Sequence, residues 1–418
     1  MDRRRAARHD VSAPGFGPDP SPTESPHPVK ITQLTHHDLD GYGASTVAGT
    51  RAAIARVIHV SRYSDVGPVV AAELKRLGGA AEPETILMTD LGLEPVAVSF
   101  IKDFVAANAK RAPERRHRLV VLDHHASSLD RLAEQGLVPA EADPASPWPG
   151  LKSIATGDPA VTVLIDDTRC ATRLAADHAD LYATHDTDPA VAGTLAVLIE
   201  AVDAVDLWKK DRPIFRQAQV LDEVFWDNVT GFVPLGHPWH DRFIGDLLLG
   251  MADRLGGGAT PAAIERDAGT LRARIVDEAL SGRANDDPDA TTRTRIASLL
   301  AVSPELFARL PGGAKLSFGL DAGTFQRVSD VVMTSRDAAL VINVGRSGNM
   351  SFRSNDGTAL DAARKFRGGG HRDAAGGRLT SGAVASLEDA VSQVVPLLDP
   401  PKADPASSPF AELRGLKL

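Results

Sequence analysis

The sequence predicts an α/β protein in which a parallel-sheet lobe is joined by a helical linker to a smaller α/β lobe. Three observations carry that expectation. Apolar runs near residues 29–35, 56–61, 85–89, 118–122 and 160–165 alternate with segments of helical periodicity, as at 44–55, 69–77 and 95–107. Such alternation implies right-handed crossovers and a mostly parallel sheet with helices on both faces. Between residues 209 and 314 the pattern turns wholly helical, and strand-like runs return from 315 to 398.

Several of the first lobe's runs end abruptly in acids or imidazoles. Val120-Val121-Leu122 runs into Asp123-His124-His125, Leu34-Thr35 into His36-His37-Asp38-Leu39-Asp40-Gly41, and Met88-Thr89 into Asp90. Open α/β sheets bind ligands just beyond the carboxyl ends of their strands. Three strands that each deliver acid or imidazole at that edge define a candidate site.

The bulk composition narrows the function. At 418 residues the chain has room for two or three cores, and 43% hydrophobic and 24% charged residues are ordinary for a globular protein. A net charge of −9 argues against a generally basic nucleic-acid binder while leaving room for a narrow basic cleft. The lone cysteine, Cys170, has no internal partner and reads as a core residue in a reducing compartment. No apolar run reaches the length of a membrane span, and no apolar core follows Arg3-Arg4-Arg5 as a signal peptide requires. A cytoplasmic location with no membrane partner is therefore expected.

In chain order, residues 1–28 carry six prolines and read as a disordered leader. Residues 29–208 form the first lobe. Gly41 and Gly43 are expected at the turn from the first strand into its helix, residues 131–159 as a loop region, and 186–208 as a helix. In residues 209–314, Phe243, Leu247, Leu248 and Met251 share one helical face, as do Ile264, Ala268, Leu271, Ile275 and Ala279 after a Thr260-Pro261 start. This helical region could serve as a spacer, a homodimer surface or a lid. In residues 315–398, strands are expected at 315–320, 330–333, 338–344 and 349–354, with helices at 359–366 and 385–397. Residues 399–418 read as a Pro-rich tail.

The chemistry can be read from the residue types. On a strand end, Asp38 and Asp40 would project to one side with His36, because side chains alternate with a period of two. Carboxylates suit hard cations, and imidazole shifts the preference from Mg²⁺ toward Mn²⁺ or a related ion. Asp90 on a neighbouring strand can bridge two ions, and His124 with an aspartate near residue 203 can complete the second. Two ions roughly 3.5–4 Å apart can hold a hydroxide between them and stabilise both oxygens of an in-line phosphoryl displacement.

These residues resemble the motifs of the DHH phosphoesterase family, with its associated C-terminal domain. His36-His37-Asp38-Leu39-Asp40-Gly41 is similar to the first motif, Asp90 to the second and Asp123-His124-His125 to the third, with Asp203 preferred over Asp206 for the fourth. Phe366-Arg367-Gly368-Gly369-Gly370-His371, followed by Ala374-Ala375-Gly376-Gly377, resembles the glycine-rich signature of the second domain. Many relatives place the first histidine four residues before the first aspartate, where this chain has Leu34; the spacing here is closer to RecJ-type exonucleases and one branch of nanoRNases. The resemblance covers residues 29–208 and 315–398 and implies an active site in the cleft between the lobes.

Carried over, the resemblance implies His36, Asp38 and Asp90 on one Mn²⁺ ion, with His37 a weaker rival to His36. It implies Asp40, Asp90, His124 and Asp203 on a second ion, with Mg²⁺ or Co²⁺ as possible substitutes. Asp123 would orient an imidazole, and His125 would face the scissile phosphate. Gly368, Gly369 and Gly370 would bring backbone amides close to phosphate oxygens, with His371 donating a hydrogen bond and Arg353 gripping a terminal phosphate. Between Arg346 and Arg378, seven Lys/Arg against three Asp/Glu make a locally basic segment. Closure of the lobes is expected to assemble this clamp over the metals.

The leading expectation is an Mn²⁺-dependent phosphodiesterase of the oligoribonuclease (nanoRNase) type, acting on short RNA or DNA oligonucleotides. The alternative substrate is a small nucleotide, either 3′-phosphoadenosine 5′-phosphate or a cyclic or linear dinucleotide. A catalytically inactive nucleotide-binding regulator ranks below both, because no metal ligand is missing. An inorganic pyrophosphatase is disfavoured by the glycine-rich second domain.

Overall fold

A computed structural model describes residues 30–140, 147–283, 286–380, 384 and 386–400. The expected leader and the tail beyond Pro400 lie outside the described residues. In the first lobe the strands are β1 (Lys30–His36), β2 (Ile54–Val60), β3 (Glu84–Thr89), β4 (Arg118–Asp123), β5 (Lys152–Ser153) and β6 (Val161–Ile165). They form one sheet in the order β2-β1-β3-β4-β6-β5, in which only the short edge strand β5 runs antiparallel. The helices of this lobe are α1 (Leu39–Gly49), α2 (Tyr63–Gly78), α3 (Pro95–Asn108), α4 (Ala126–Glu134), α5 (Ala171–Asp177) and α6 (Pro189–Asp206).

Alternation along the buried strands sorts side chains to the two faces. Leu87, Val120 and Leu122 join the core with α1, α5 and α6, whereas Ile86, Met88, Leu119 and Val121 join the core with α2 and α3. The chain leaves β1 for β2 on one side and reaches β3 on the other. The crevice at the carboxyl ends of β1 and β3 is therefore the topological switch point, where ligands bind in such sheets.

Four helices follow: α7 (Phe215–Val229), α8 (His240–Gly256), α9 (Pro261–Leu280) and α10 (Thr292–Ala301). The second lobe contains β7 (Phe307–Arg309), β8 (Lys315–Phe318), α11 (Ala322–Thr334), β9 (Leu340–Val344), β10 (Asn349–Ser354), α12 (Ala359–Arg364), β11 (Gly369–Gly370), β12 (Ala374–Arg378) and α13 (Leu387–Leu398). Its sheet runs β11-β12-β10-β9-β8-β7, with β8 and β9 parallel across the α11 crossover. One face packs on α12 and α13. Through Phe325, Val328 and Val332 of α11, the other joins a core continuous with the helical region and the first lobe.

Three local expectations are corrected. Residues 330–333 are not a strand but the end of α11, where Phe325, Val328 and Val332 repeat at helical spacing behind an Asp321 side-chain cap. The second sheet begins at Phe307, inside the stretch read as linker. The first helix starts at Leu39 rather than near residue 44, because Asp38 caps it by accepting a hydrogen bond from the Gly41 amide. Gly41 and Gly43 therefore lie inside a helix. A Cβ on Gly41 would come within 2.1 Å of the His36 carbonyl oxygen, so glycine is what lets the helix start pack on the strand end.

Candidate active site

The strand tips are locked together from below. Gln33 donates to the Thr89 hydroxyl, which donates to Thr35, tying β1 to β3 one residue before the acids begin. At the end of β3, Asp90 takes a left-handed backbone (φ 56°), a conformation that aspartate tolerates better than most residues. Its amide donates to the Leu122 carbonyl, and its side chain is turned inward, 3% exposed.

Around Asp90 the donor atoms fall into sets that can each surround one cation. His36, Asp38 and Asp90 form one, Asp90, His124 and His125 another, and Asp40, His124 and Asp206 a third. Asp90 is shared by the first two and His124 by the last two. His124 Nε2 lies 3.1 Å from Asp90 Oδ1 and 3.5 Å from Asp40 Oδ2, while its Nδ1 faces Asp206 Oδ2 at 3.7 Å. The other oxygen of Asp90, Oδ2, is buried without a hydrogen-bond partner. An orphaned buried carboxylate oxygen is costly, and a divalent cation held by oxygen and imidazole donors would satisfy it.

The electrostatics agree. Burial, then the charges of Asp38 and Asp40, raise the Asp90 carboxyl well above the usual carboxylate range. Burial, then Asp40 and Asp38, push Asp206 up to about 8. Burial also acts to raise Asp38, but the His36 hydrogen bond, the neighbouring Asp90 carboxyl and the His36 charge outweigh it and hold Asp38 at about 2. Acids this crowded give up protons to a cation readily.

The two sequence-adjacent imidazoles, His36 and His37, separate cleanly. His36 turns to Asp38, with Nδ1 2.5 Å from Oδ2, and stacks on Tyr63. His37 turns away into an aromatic nest with Tyr42, His59 and Trp226. Asp38 and Asp40 do not share a face by strand alternation, since they sit at the cap and in the first turn of α1. Asp40 instead reaches α5, where its two oxygens accept hydrogen bonds from the Ala171 and Thr172 amides at 2.7 and 2.8 Å.

Of the two candidates for the last acid, the structure brings Asp206 rather than Asp203 into the cluster. Asp203 accepts from the Cys170 amide at 3.1 Å and from Lys209 Nζ at 2.7 Å, with Arg173 Nε 3.3 Å away. These partners hold its carboxyl below the usual range against the effect of burial. Asp203 thus pins the start of α5, the same turn that grips Asp40. One turn of helix separates the two roles, and sequence spacing alone does not reveal which acid takes which.

Asp123 is buried, belongs to none of the donor sets and binds His125 from behind. Its Oδ1 accepts from His125 Nδ1 at 2.8 Å and its Oδ2 from the Ser128 hydroxyl, which in turn accepts from the Leu93 amide. Burial lowers the His125 pKa, but the Asp123 hydrogen bond and charge outweigh it and raise it. Sequence reasoning missed Ser128 and Tyr63. Ser128 falls at the first turn of α4, three residues after the imidazole pair. Tyr63 lies just past the tip of β2, and its exposure marks it only in the folded chain.

In the second lobe, the glycine run forms the β11–β12 hairpin. Gly368 and Gly370 are required by packing within the lobe, since a Cβ would meet the Gly376 and Ala374 carbonyl oxygens at 2.0 and 2.7 Å. Gly369 has open space around it, and His371 beside it is exposed. Arg353 sits on β10 opposite Ala374 of this hairpin, its guanidinium held by the Gln326 side chain and the Phe352 carbonyl. Among the described residues, no hydrogen bond or ion pair joins Arg353 or His371 to the acid–imidazole cluster.

The acid–imidazole cluster and the comparisons below are consistent with a metal-dependent phosphoesterase. No family model matches the chain. It is 23% identical over 370 residues to the 3′,5′-cyclic-nucleotide phosphodiesterase of Helicobacter pylori (strain ATCC 700392 / 26695), covering 84% of this chain and 93% of that protein. The solved structure of an uncharacterized protein from Helicobacter pylori G27 matches with a TM-score of 0.64 at 20% identity, over 88% of this chain and 98% of the other, so the two share a fold. RecJ from Thermus thermophilus, solved in complex with Mn²⁺, aligns over 88% of this chain and 51% of its own at 16% identity, with a TM-score of only 0.24. Among the described residues no helix is long and apolar enough to cross a membrane.

Proposed function

We propose that this protein is a divalent-metal-dependent phosphodiesterase acting on small nucleotide substrates, with very short oligonucleotides first among them. The observation that carries the reading is Asp90: buried, with one oxygen orphaned, and shared by two donor sets at the switch point of the sheet. His36, Asp38 and Asp90 would hold one ion, and Asp40, His124 and Asp206, beside Asp90, the other. Mn²⁺ suits this mixed oxygen and imidazole set. Bound there, the ions would supply an activated water and positive charge for an in-line displacement at phosphorus.

The chain's own residues prepare that chemistry. Asp123 fixes His125 with Nδ1 as the donor to the carboxylate, which leaves Nε2 to meet a phosphate oxygen or the leaving oxygen. The Asp123 hydrogen bond and charge raise the His125 pKa, which favours the protonated ring that a hydrogen-bond donor or general acid needs. The α5 amides on Asp40 and the Asp123 contacts keep these side chains in place before substrate arrives. In the second lobe, Gly369, His371 and Arg353 would bind the flanking phosphate.

A second reading, a cyclic-nucleotide substrate, is favoured by the name of the Helicobacter pylori relative. One experiment separates the two. Wild type and an Asp123→Ala/His124→Ala variant are incubated with Mn²⁺ and 5′-phosphorylated RNA of two to twenty nucleotides, 3′-phosphoadenosine 5′-phosphate, 3′,5′-cyclic AMP and cyclic di-AMP. Mononucleotides released from the shortest RNAs by wild type alone support the first reading. Turnover confined to 3′,5′-cyclic AMP or cyclic di-AMP supports the second. No turnover by wild type with Mn²⁺ bound overturns both.

A further inference from the structure

The chain is poor in aromatic residues, and where it leaves them in solvent is informative. Among the described residues, three Phe, Tyr or Trp side chains are exposed: Tyr63 (47%), Trp208 (58%) and Trp226 (48%). Trp208 is already in use, with the Lys210 ammonium 4.7 Å from its ring centre and Phe215 against its edge. The other two border the first motif from different parts of the fold.

Tyr63, at the start of α2, lies nearly parallel to the His36 ring with centroids 5.9 Å apart. Near the ring edge is Gly92, where an added Cβ would sit 3.3 Å from Tyr63 Cε1 and 3.5 Å from His125. Glycine at that position leaves room for the phenol and the imidazole to approach the same space. Trp226 comes from α7 of the helical region, with its ring 6.4 Å from that of His37 and 5.1 Å from Phe225. It lies near Asp222, a carboxyl close enough to Asp38 to feel its charge. An indole packed against Phe225 and His37 has less freedom to lose when a ligand stacks on it.

Building on the phosphodiesterase reading of the cluster, we propose that Trp226 and Tyr63 are nucleobase platforms and that the helical region is a wall of the substrate cleft. Tyr63 lies on the His36 and His125 side of the acids that would hold the ions, and Trp226 on the His37 side, next to Asp222, whose carboxyl senses Asp38. Every nucleobase can stack on an aromatic face, so the pair selects nucleotides over other phosphodiesters without selecting a sequence. The ligand class is a phosphodiester with a base on each side of the bond that is cut.

The test is calorimetric binding of AMP and of ribose 5-phosphate to the full chain with Mn²⁺, using wild type, Trp226→Ala, Trp226→Phe and Tyr63→Ala. Steady-state hydrolysis of 5′-phosphorylated diadenylate and its doubly abasic counterpart is measured beside it. Wild type is expected to prefer AMP. At least one alanine variant should lose roughly five- to hundred-fold in AMP affinity with ribose 5-phosphate binding unchanged, and both should raise KM on the diadenylate only. Trp226→Phe should stay near wild type, which separates loss of a platform from loss of the fold.

Equal losses for AMP and ribose 5-phosphate, or a wild type without preference for AMP, overturn the proposal. Hydrolysis of diadenylate with a KM indifferent to both alanine variants also overturns it and leaves the phosphodiesterase reading standing. An AMP preference that depends on Trp226 in a protein that cleaves nothing supports the platform and removes the catalytic reading instead.

Discussion

Asp206 Oδ2 faces His124 Nδ1 at 3.7 Å, bringing the carboxyl end of α6 to the imidazole that follows β4. That contact joins two distant pieces of sequence into one donor set with Asp40, and it distinguishes Asp206 from Asp203 one helical turn earlier.

Asp206→Asn should weaken Mn²⁺ binding by at least about tenfold, since even residues outside the ligand set commonly cost that much. Asp203→Asn should leave the affinity within a few-fold and lower stability by about 1–3 kcal/mol, because the amide oxygen can still accept from Cys170 while the Lys209 and Arg173 charges lose the carboxylate. Calorimetric Mn²⁺ titration and thermal melting of both variants check this. The opposite pattern would return Asp203 to the ligand set.

The pH dependence of stability follows from the raised carboxyls. An unfolded aspartate loses its proton near pH 4, whereas folded Asp206 keeps it to about 8 and Asp90 is also raised. The folded state therefore binds more protons across this window, so the stability of metal-free protein falls as pH rises from about 4 to about 8. Divalent cations replace those protons and should cancel the slope. Melting curves in EDTA and in Mn²⁺ between pH 5 and 8 should show a metal-induced rise in Tm that grows with pH. A rise independent of pH would contradict the assignment.

Asp123→Asn should lower kcat by about 10–100-fold while Mn²⁺ affinity changes little, because an amide no longer fixes the charge and tautomer of His125. Ser128→Ala should show a smaller loss in the same direction, as Asp123 keeps the contact with His125 but loses its second partner. A change confined to KM would place Asp123 in substrate binding instead.

Arg353→Ala should raise KM about tenfold for substrates with a terminal phosphate and little for those without. The variant also removes the contacts to Gln326 and the Phe352 carbonyl, so thermal melting is read beside the kinetics. Equal losses on phosphorylated and unphosphorylated substrates would sink the assignment.

The first sheet was legible because its central strands β1, β3 and β4 are buried on both faces and end in residues that a core does not tolerate. The cores of Leu119-Val120-Val121-Leu122 and of Ile86-Leu87-Met88 read as strands without help from context. Less legible was what happens in the first turn after a strand. Asp38 looked like strand and became a helix cap, and this one change of period sent Asp40 to the α5 amides. Residues 330–333 misled because a valine pair suits a strand or a buried helix equally, and only the wider spacing from Phe325 decides between them. Asp203 and Asp206 are chemically identical, so their roles depended on Lys209 and Arg173, whose positions follow from tertiary packing.

The apolar core that includes Leu122 and Leu174 continues through Phe243 and Leu271 to Phe325 and Val328. This bears on modularity. A cut at residues 302–306, between the helical region and the second sheet, would not yield two self-sufficient modules. The fragment carrying α11 would present Phe325, Val328 and Val332 to water, and the other would present the face of α10 that covers them. A lobe transplanted from a relative would need its matching α10 and α11 surfaces together. Recombination within such a lineage is thus constrained to breakpoints that keep this helix pair intact.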